Sequence, residues 1–585
     1  MSHFFRNFGA MNYKWNLLQP DAPQAEQAKA LAKDLGISPI LGTLLMQRGI
    51  TTAPEAKHFF HPQLNELLDP FLFKDMDIAV RRLNEAIERN ERILVYGDYD
   101  VDGVTAVALV YKFIKPIYDN IDYYIPDRNE EGYGVSTQGV DYAVETGVGL
   151  IIVLDCGIKA NEGIQYAKDL GIDFIICDHH VPGDTLPPAV AILNAKREDS
   201  TYPYKDLSGC GVGFKFMQAF AQNNGIEFQR LSSLLDLCAV SIASDIVPIM
   251  GENRILAHHG LRQLNARPSV GMLAIMDSCG LGEREITLND IIFKIGPRIN
   301  ASGRITNGKE AVKLLVEEDP RVAQQMAKLI NQYNEQRKDL DKATTEQANA
   351  IAAGIDAEGE QKSLVVYNPE WHKGVIGIVA SRLTELYYRP SVVLTCGEDG
   401  LATGSARSVA GFNVYQAIDS CSDLLENFGG HTYAAGLSLR VENIPAFKER
   451  FEQYVAEHID PEQTMPLLDI NAVIDFKDIT RRFWADLKRF APFGPDNPRP
   501  NFCTRQVYDY GNSKVVGRDQ EHIKLELVDG KSACIMNGIA FGQSSQARYI
   551  KSKRSFDIVY AIEDNTHKRG EVQLQIEDIR PIEKP

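Results

Sequence analysis

Apolar residues along this chain fall into short blocks, and three of these blocks end in the same way. Ile93-Leu94-Val95-Tyr96 runs into Gly97-Asp98-Tyr99-Asp100-Val101-Asp102-Gly103, Val148 to Leu154 runs into Asp155-Cys156-Gly157, and Phe174-Ile175-Ile176-Cys177 runs into Asp178-His179-His180. Short continuous apolar runs rich in Val and Ile predict strands covered on both faces. Val104 to Ile114 is apolar with no breaker, and Ile164, Ala167 and Leu170 recur at helical spacing. The pattern therefore predicts βαβ units with right-handed crossovers and a mainly parallel sheet. In open α/β sheets ligands bind beyond the carboxyl ends of the strands, which is where these acids stand.

Asp98, Asp100 and Asp102 occupy alternate positions, so on an extended segment their side chains are expected to converge on one side. Ionised carboxylates held together repel one another unless a cation joins them, and hard oxygen ligands suit magnesium or manganese. One such run alone is equally a solvated turn; recurrence of acids at three strand ends favours a metal site. Asp245 adds a fourth contribution, in Ser244-Asp245-Ile246-Val247-Pro248 after an apolar helix expected over Leu231 to Ala243. Cys156 and Cys177, beside the acids, read as small buried side chains.

The division expected along the chain is an N-terminal extension over 1–70, helical at Gln24 to Leu35, and a parallel-sheet α/β domain over 71–265. Residues 266–352 hold Gly296-Pro297-Arg298-Ile299-Asn300-Ala301-Ser302-Gly303-Arg304 and a helix from Pro320 to about Ala352. That helix would be about 50 Å long at 1.5 Å per residue. Its apolar stripe (Val322, Met326, Leu329, Ile330, Tyr333) fades along its length, which suits a bridge between domains. Residues 353–460 read as a smaller α/β unit, with strands at Ser363 to Tyr367 and Ser391 to Thr395 around a helix at Gly374 to Tyr387. Glycines 429, 430 and 436 and the run Gly404 to Ser408 would let backbone NH groups approach a phosphate. Residues 461–585 are β-rich, with strands expected at Arg505 to Tyr510, His522 to Val528, Ala533 to Phe541, Phe556 to Ile562 and Glu571 to Ile579. Such a run predicts a small barrel, with Tyr508 and Tyr510 among its candidate base-stacking residues and Ala491 to Pro495 as a rigid connecting turn.

With 585 residues the chain is long enough for several domains. Its nine cysteines, odd in number and scattered, form no disulfide framework and suit a reducing cytoplasm. Neither an export signal nor a membrane span is expected from the N-terminal sequence. The net charge of −17 is a whole-chain sum, whereas binding of a polyanion is decided by local potential. Bound divalent ions would reverse the sign of the acid cluster, and Lys294, Arg298, Arg304, Arg128 and Arg407 are candidates for a confined basic track.

Taken in order, Gly97-Asp98-Tyr99-Asp100-Val101-Asp102-Gly103, Leu154-Asp155-Cys156-Gly157, Asp178-His179-His180 and Ser244-Asp245-Ile246-Val247-Pro248 resemble the DHH phosphoesterase superfamily. Glu131-Gly132-Tyr133-Gly134, the Gly296 to Arg304 run, and Phe428-Gly429-Gly430-His431 before Ala434-Ala435-Gly436 are similar to its RecJ family of single-stranded-DNA exonucleases. The resemblance runs from about residue 70 to the C-terminus. It implies an α/β multidomain fold: a parallel-sheet DHH domain and a smaller DHH-associated domain joined by the long helix, then an OB-like barrel.

The same resemblance implies two Mn2+ or Mg2+ ions bridged by Asp155. Asp98 or Asp100 would join it at one ion, and Asp102, His179 and Asp245 at the other. Relatives acting on small phosphates carry a histidine where this chain has Tyr96, which leaves the first ligand set open, with Asp98 as the substitute. His180 would face the non-bridging phosphate oxygens and Asp178 would orient a neighbouring imidazole. Ser405 and Arg407 would grip a 5′ phosphate, Arg298, Asn300 and Arg304 the strand near the scissile bond, with Arg128, Gly430 and His431 as further phosphate contacts.

The implied activity is 5′-to-3′ release of mononucleotides in recombination and repair, with the single-strand binding protein and a helicase as partners. Two alternatives are a DHH phosphodiesterase of short oligonucleotides or cyclic dinucleotides, and a non-catalytic scaffold that binds single strands. The first leaves the barrel and the Gly-Pro-Arg run without a role, and retention of every acid and both histidines argues against the second.

Overall fold

The computed structural model describes residues 13–128, 130–282, 284–357, 359, 361–397, 400–565 and 570–582; the first twelve residues of the expected extension lie outside them. The chain divides into two compact units, one comprising 52–336 with 489–499 and the other 1–51, 337–488 and 500–585. Among the described residues no helix is long and apolar enough to cross a membrane.

The first unit is built on five strands in the order Ile121–Tyr124, Arg92–Gly97, Val148–Leu154, Asp173–Cys177, Ala191–Leu193, every neighbouring pair parallel. Leu94, Tyr96, Ile151, Val153, Phe174 and Ile176 pack into one core with Val140, Ile164 and Ala167. Ile93, Val95, Leu150, Ile152, Leu154 and Ile175 pack into another, with Val104, Val107, Phe113 and Phe214. The three inner strands are apolar on both faces, so their runs are continuous instead of alternating, whereas the edge strand Ile121–Tyr124 alternates.

Three expectations are corrected here. The helix after the first acid run spans Val101–Ile114, with Asp100 as its N-cap accepting from the Asp102 and Gly103 N–H groups at 2.9 and 3.2 Å. The three alternate acids therefore do not share one extended segment, because capping by Asp100 winds Asp102 into the first helical turn. The apolar stretch before Asp245 is two helices, Phe228–Ser232 and Leu235–Ser244. Residues 489–499 do more than connect. The Arg254 guanidinium donates to the carbonyls of Phe490 and Ala491 at 3.1 and 3.0 Å, and the Ile249 N–H donates to the Pro495 carbonyl at 2.8 Å.

The Gly-Pro-Arg run is helical: a π-helical turn, Ile291–Ile295, continues into Gly296–Ile305. One helix of 38 residues, Pro320–Ala357, then carries the chain from the first unit's sequence into the second's.

In the second unit, Lys14–Leu17 pairs in parallel with Leu467–Ile470, so part of the expected extension is a strand of this unit. A mixed five-stranded sheet runs in the order Leu425–His431, Ala434–Arg440, Leu401–Arg407, Ser391–Cys396, Leu364–Tyr367, with the helix Lys373–Tyr387 between its last two strands in sequence. Gly430 lies in a strand, and the close approach it permits is to its own neighbour: a Cβ there would fall 2.4 Å from the Ala434 carbonyl oxygen. The C-terminal strands close into a barrel, since Phe502–Asp509 pairs with both His522–Asp529 and Phe556–Asp564. Lys514–Val516 is an additional short strand, too brief for the alternation to reveal.

Candidate metal centre

Strand ends and one helix end deliver the acids to a single place. Asp98, Asp155 and Asp178 follow the strands Arg92–Gly97, Val148–Leu154 and Asp173–Cys177, and Asp245 caps the helix Leu235–Ser244. Ligand atoms lie within 4.8 Å of one another in three groups: Asp98, Asp100 and Asp155; Asp102, His179 and Asp245; and Asp155, His179 and His180. Shared members make this one cluster. His179 Nε2 stands 3.2 Å from Asp155 Oδ1, 3.5 Å from Asp245 Oδ2 and 4.0 Å from Asp102 Oδ2.

The electrostatics call for cations. Burial, then the charge of Asp100, pushes the Asp98 carboxyl well up, and burial with Asp102 and Asp100 does the same to Asp155. Burial followed by Asp102 raises Asp100, and burial with Asp102 and Asp100 pushes Asp245 up to about 9. Burial pulls His179 below its usual range and leaves a neutral imidazole, the form that ligates metals. Asp98 Oδ1, Asp155 Oδ1 and both ring nitrogens of His179 are buried and make no hydrogen bond. Buried acceptors left in this state are costly in a folded protein, and a divalent ion is the group that satisfies carboxylate oxygens and a neutral imidazole together. The donor set fits Mn2+ or Mg2+.

Neighbouring groups hold this arrangement in place. Asp178 does not join the cluster. Its carboxylate accepts from the backbone N–H groups of Ile158, His179 and His180 at 2.9, 2.7 and 3.0 Å and from His180 Nδ1 at 2.8 Å. These bonds outweigh burial and hold Asp178 below the usual carboxylate range, while Asp178 outweighs burial to raise His180. Asp155 has a left-handed backbone (φ 61°), which aspartate tolerates better than most residues.

Sequence reasoning missed the supports of Asp102. Its Oδ2 accepts from the Gly209 N–H at 2.6 Å, and its Oδ1 accepts from the Cys210 N–H and the Ser241 hydroxyl, both at 2.7 Å. Gly209 opens the helix Gly209–Asn223, and a Cβ on it would sit 2.5 Å from Asp155 Cβ and 2.6 Å from Asp155 Oδ1.

Tyr96 points away from the acids. Its hydroxyl donates to the Gly134 carbonyl at 2.9 Å and accepts from the Ser136 N–H at 3.1 Å, pinning the Glu131-to-Gly134 run beside the site. Tyr133 in that run donates to the Asp155 carbonyl at 3.2 Å and stands edge-on to the His180 ring. Arg128 lies over the Tyr99 ring at 5.0 Å.

The helix bearing Arg298, Asn300 and Arg304 flanks the cluster. A Cβ on Gly296 would meet Ser244 Oγ at 2.9 Å, and one on Gly303 would meet the Tyr99 carbonyl oxygen at 2.9 Å. The helix thus runs from the neighbour of Asp245 to the residue between Asp98 and Asp100. Arg298 is partly engaged within the fold, donating to Asn331 Oδ1 at 2.9 Å and the Lys294 carbonyl at 2.8 Å.

Ser405, Arg407, Gly430 and His431 belong to the second unit. Ser405 and Arg407 share a strand, and Arg407 Nη1 donates to Ser405 Oγ at 2.9 Å. Both side chains face Gly377 in the second turn of the helix Lys373–Tyr387: a Cβ on Gly377 would lie 3.1 Å from Ser405 Oγ and 3.2 Å from Arg407 Nη2. Gly430 and His431 end the strand two places away in the sheet.

A parallel sheet presenting acids and adjacent histidines at its strand ends, with a smaller mixed-sheet unit and a closed barrel, defines a DHH-class phosphoesterase. Three family models agree: the DHH family N-terminal domain matches residues 92–242, the DHHA1 domain 360–457, and the RecJ OB domain 470–578. The single-stranded-DNA-specific exonuclease RecJ of Bacillus subtilis is 34% identical over 572 residues, covering 97% of this chain and 71% of that protein. The Mn2+ complex of Thermus thermophilus RecJ superposes with a TM-score of 0.83 at 27% identity, over 98% of this chain and 80% of that one. Its Mg2+ complex gives 0.77 at 26% identity, over 98% and 79%. The chain belongs to the RecJ family of single-stranded-DNA-specific exonucleases.

Proposed function

We propose that this protein is a metal-dependent single-stranded-DNA exonuclease that removes mononucleotides from a 5′ end by hydrolysing phosphodiester bonds. The observation that carries the reading is the pair of ligand groups joined through Asp155 and His179, buried and short of hydrogen bonds. Asp98, Asp100 and Asp155 would hold one divalent ion, and Asp102, Asp155, His179 and Asp245 the other. When bound, such ions neutralise phosphate charge and make water a nucleophile near neutral pH.

His180 has Nδ1 engaged by Asp178 at 2.8 Å, which leaves Nε2 as the nitrogen that donates to a non-bridging phosphate oxygen. Asp178 raises its proton affinity, which favours the protonated form that donates there. Arg128, Arg298, Asn300 and Arg304 bind the backbone of the strand, Arg by paired donors matched to phosphate. Ser405 and Arg407, with Gly430 and His431 nearby in the same sheet, bind the terminal 5′ phosphate. Exposed Tyr508 and Tyr510 offer stacking faces on the barrel. A role in recombination and repair in the cytoplasm, beside a single-strand binding protein and a helicase, follows from the same reading.

The test compares long single strands labelled at the 5′ end with dinucleotides and with blunt duplex, each with Mn2+ and with chelator. Metal-dependent release of labelled mononucleotide from the long strand is expected; activity confined to dinucleotides refutes the proposal.

A further inference from the structure

The hydrogen bonds around Asp102 restrict what that carboxylate can do. An ionised carboxylate only accepts, with two lone pairs on each oxygen. On Oδ1 both are engaged, by the Cys210 N–H and the Ser241 hydroxyl at 2.7 Å each. On Oδ2 the Gly209 N–H takes one at 2.6 Å, and that oxygen is the one nearer His179 Nε2, at 4.0 Å. The Ser241 proton is committed to Asp102, so Ser208 Oγ, 2.6 Å away, must donate to Ser241 Oγ. Ser208 Oγ in turn accepts from the Gly211 N–H at 3.1 Å and caps the helix Gly209–Asn223. A relay thus runs from Gly211 through Ser208 and Ser241 to Asp102, and Ser208, Ser241 and Asp102 are all buried. The opposite condition holds at Asp98 and Asp155, whose buried Oδ1 atoms have no hydrogen-bond partner.

We propose that Ser241 is a positioning residue that fixes Asp102 as a single-oxygen ligand through Oδ2, so that the Asp102–His179–Asp245 position binds its cation more weakly than the Asp98–Asp100–Asp155 position. The inference deepens the metal-binding reading and rests on it. The helix N-terminus and three donors already share the Asp102 charge, which leaves less of it for a cation. In the other group Asp100 also caps a helix, with two N–H donors on its Oδ1, but Asp98 Oδ1 and Asp155 Oδ1 have no competing donor. Loss of the hydroxyl lets the Asp102 carboxylate rotate away from its set orientation, and outer hydrogen bonds of this kind typically change metal affinity by about 10- to 100-fold.

The experiment is a Mn2+ titration of the metal-free full-length protein, followed by calorimetry and by Mn2+ electron paramagnetic resonance, for the natural chain, Ser241→Ala and Ser241→Thr. The natural chain is expected to show two unequal affinities. Ser241→Ala should weaken the lower one about tenfold and leave the higher one unchanged, and Ser241→Thr, which keeps the hydroxyl, should recover most of the loss. An unchanged lower affinity, a tighter one, or equal loss at both positions overturns the role of Ser241. A natural chain that binds no Mn2+ instead removes the metal reading itself. If Ser241→Ala does not fold, a Mn2+-soaked crystal of the natural chain decides. Coordination through Oδ2 alone, with the Cys210 and Ser241 bonds to Oδ1 kept, supports the proposal; coordination through Oδ1 refutes it.

Discussion

Gly209 is the position where adding one carbon tests the site most economically. Its backbone does not require glycine, since it opens a regular helix and is not among the positive-φ residues. Alanine there is favoured by helix propensity by up to about 1 kcal/mol. What forbids it is Asp155: the new Cβ would lie 2.5 Å from Asp155 Cβ, where ordinary contact begins near 3.4 Å, so about 0.9 Å of movement is needed. The start of the helix is tied to Asp102 by the Gly209 and Cys210 N–H groups at 2.6 and 2.7 Å, so any retreat displaces a second ligand. Overpacking costs about 1 to 3 kcal/mol, which the propensity gain partly offsets, so the melting temperature should move by only a few degrees. A displacement near 1 Å at reacting groups costs about 100-fold in rate, or roughly 2.7 kcal/mol of barrier. Gly209→Ala should therefore fold, bind single strands in chelator as before, and lose about two orders of magnitude in kcat for nucleotide release. A variant within threefold of the natural rate would show that Asp155 need not stand where the geometry puts it.

Asp155→Asn, which tolerates the left-handed backbone, should abolish turnover and remove measurable Mn2+ binding while keeping the circular dichroism spectrum; normal turnover at saturating Mn2+ would disprove the shared-ligand assignment. In metal-free protein the raised Asp245, at about 9, contributes stability that is complete at acid pH and lost as pH climbs from the ordinary carboxylate range to about 9, because the unfolded chain ionises first. The melting temperature in chelator should fall across that window more steeply for the natural chain than for Asp245→Asn, and parallel curves would reject the cause. Arg407→Ala should raise KM for 5′-phosphorylated strands about 10- to 100-fold with little change for 5′-hydroxyl strands, and Arg407→Lys should not restore it. Equal loss on both substrates would remove Arg407 from the terminal phosphate.

The three inner strands were legible because they are covered on both faces, so each appears as an apolar run with an acid at its end; the short edge strands Ile121–Tyr124 and Ala191–Leu193 carry no such mark. The acids could be found without knowing their neighbours. Their division between two ligand groups came from the family resemblance and not from the spacing, because it depends on Asp100 starting a helix and turning Asp102 away from Asp98. Ser208, Gly209 and Ser241 are hidden for another reason: they stand far along the chain from Asp102, in helices of ordinary composition, and only folding brings them to it. Tyr96 looked like a missing ligand, and its hydroxyl instead holds the Gly134 loop. The Ala491 to Pro495 turn resembled a linker because nothing in its own sequence records that Arg254 gathers the carbonyls of Phe490 and Ala491.

Anomalous diffraction from a crystal soaked in Mn2+ tests the central claim most directly. Two peaks are expected, one enclosed by Asp98, Asp100 and Asp155 and one by Asp102, His179 and Asp245, with an Asp155 oxygen between them. No peak in this cluster, or peaks only at other surface acids, would contradict the account.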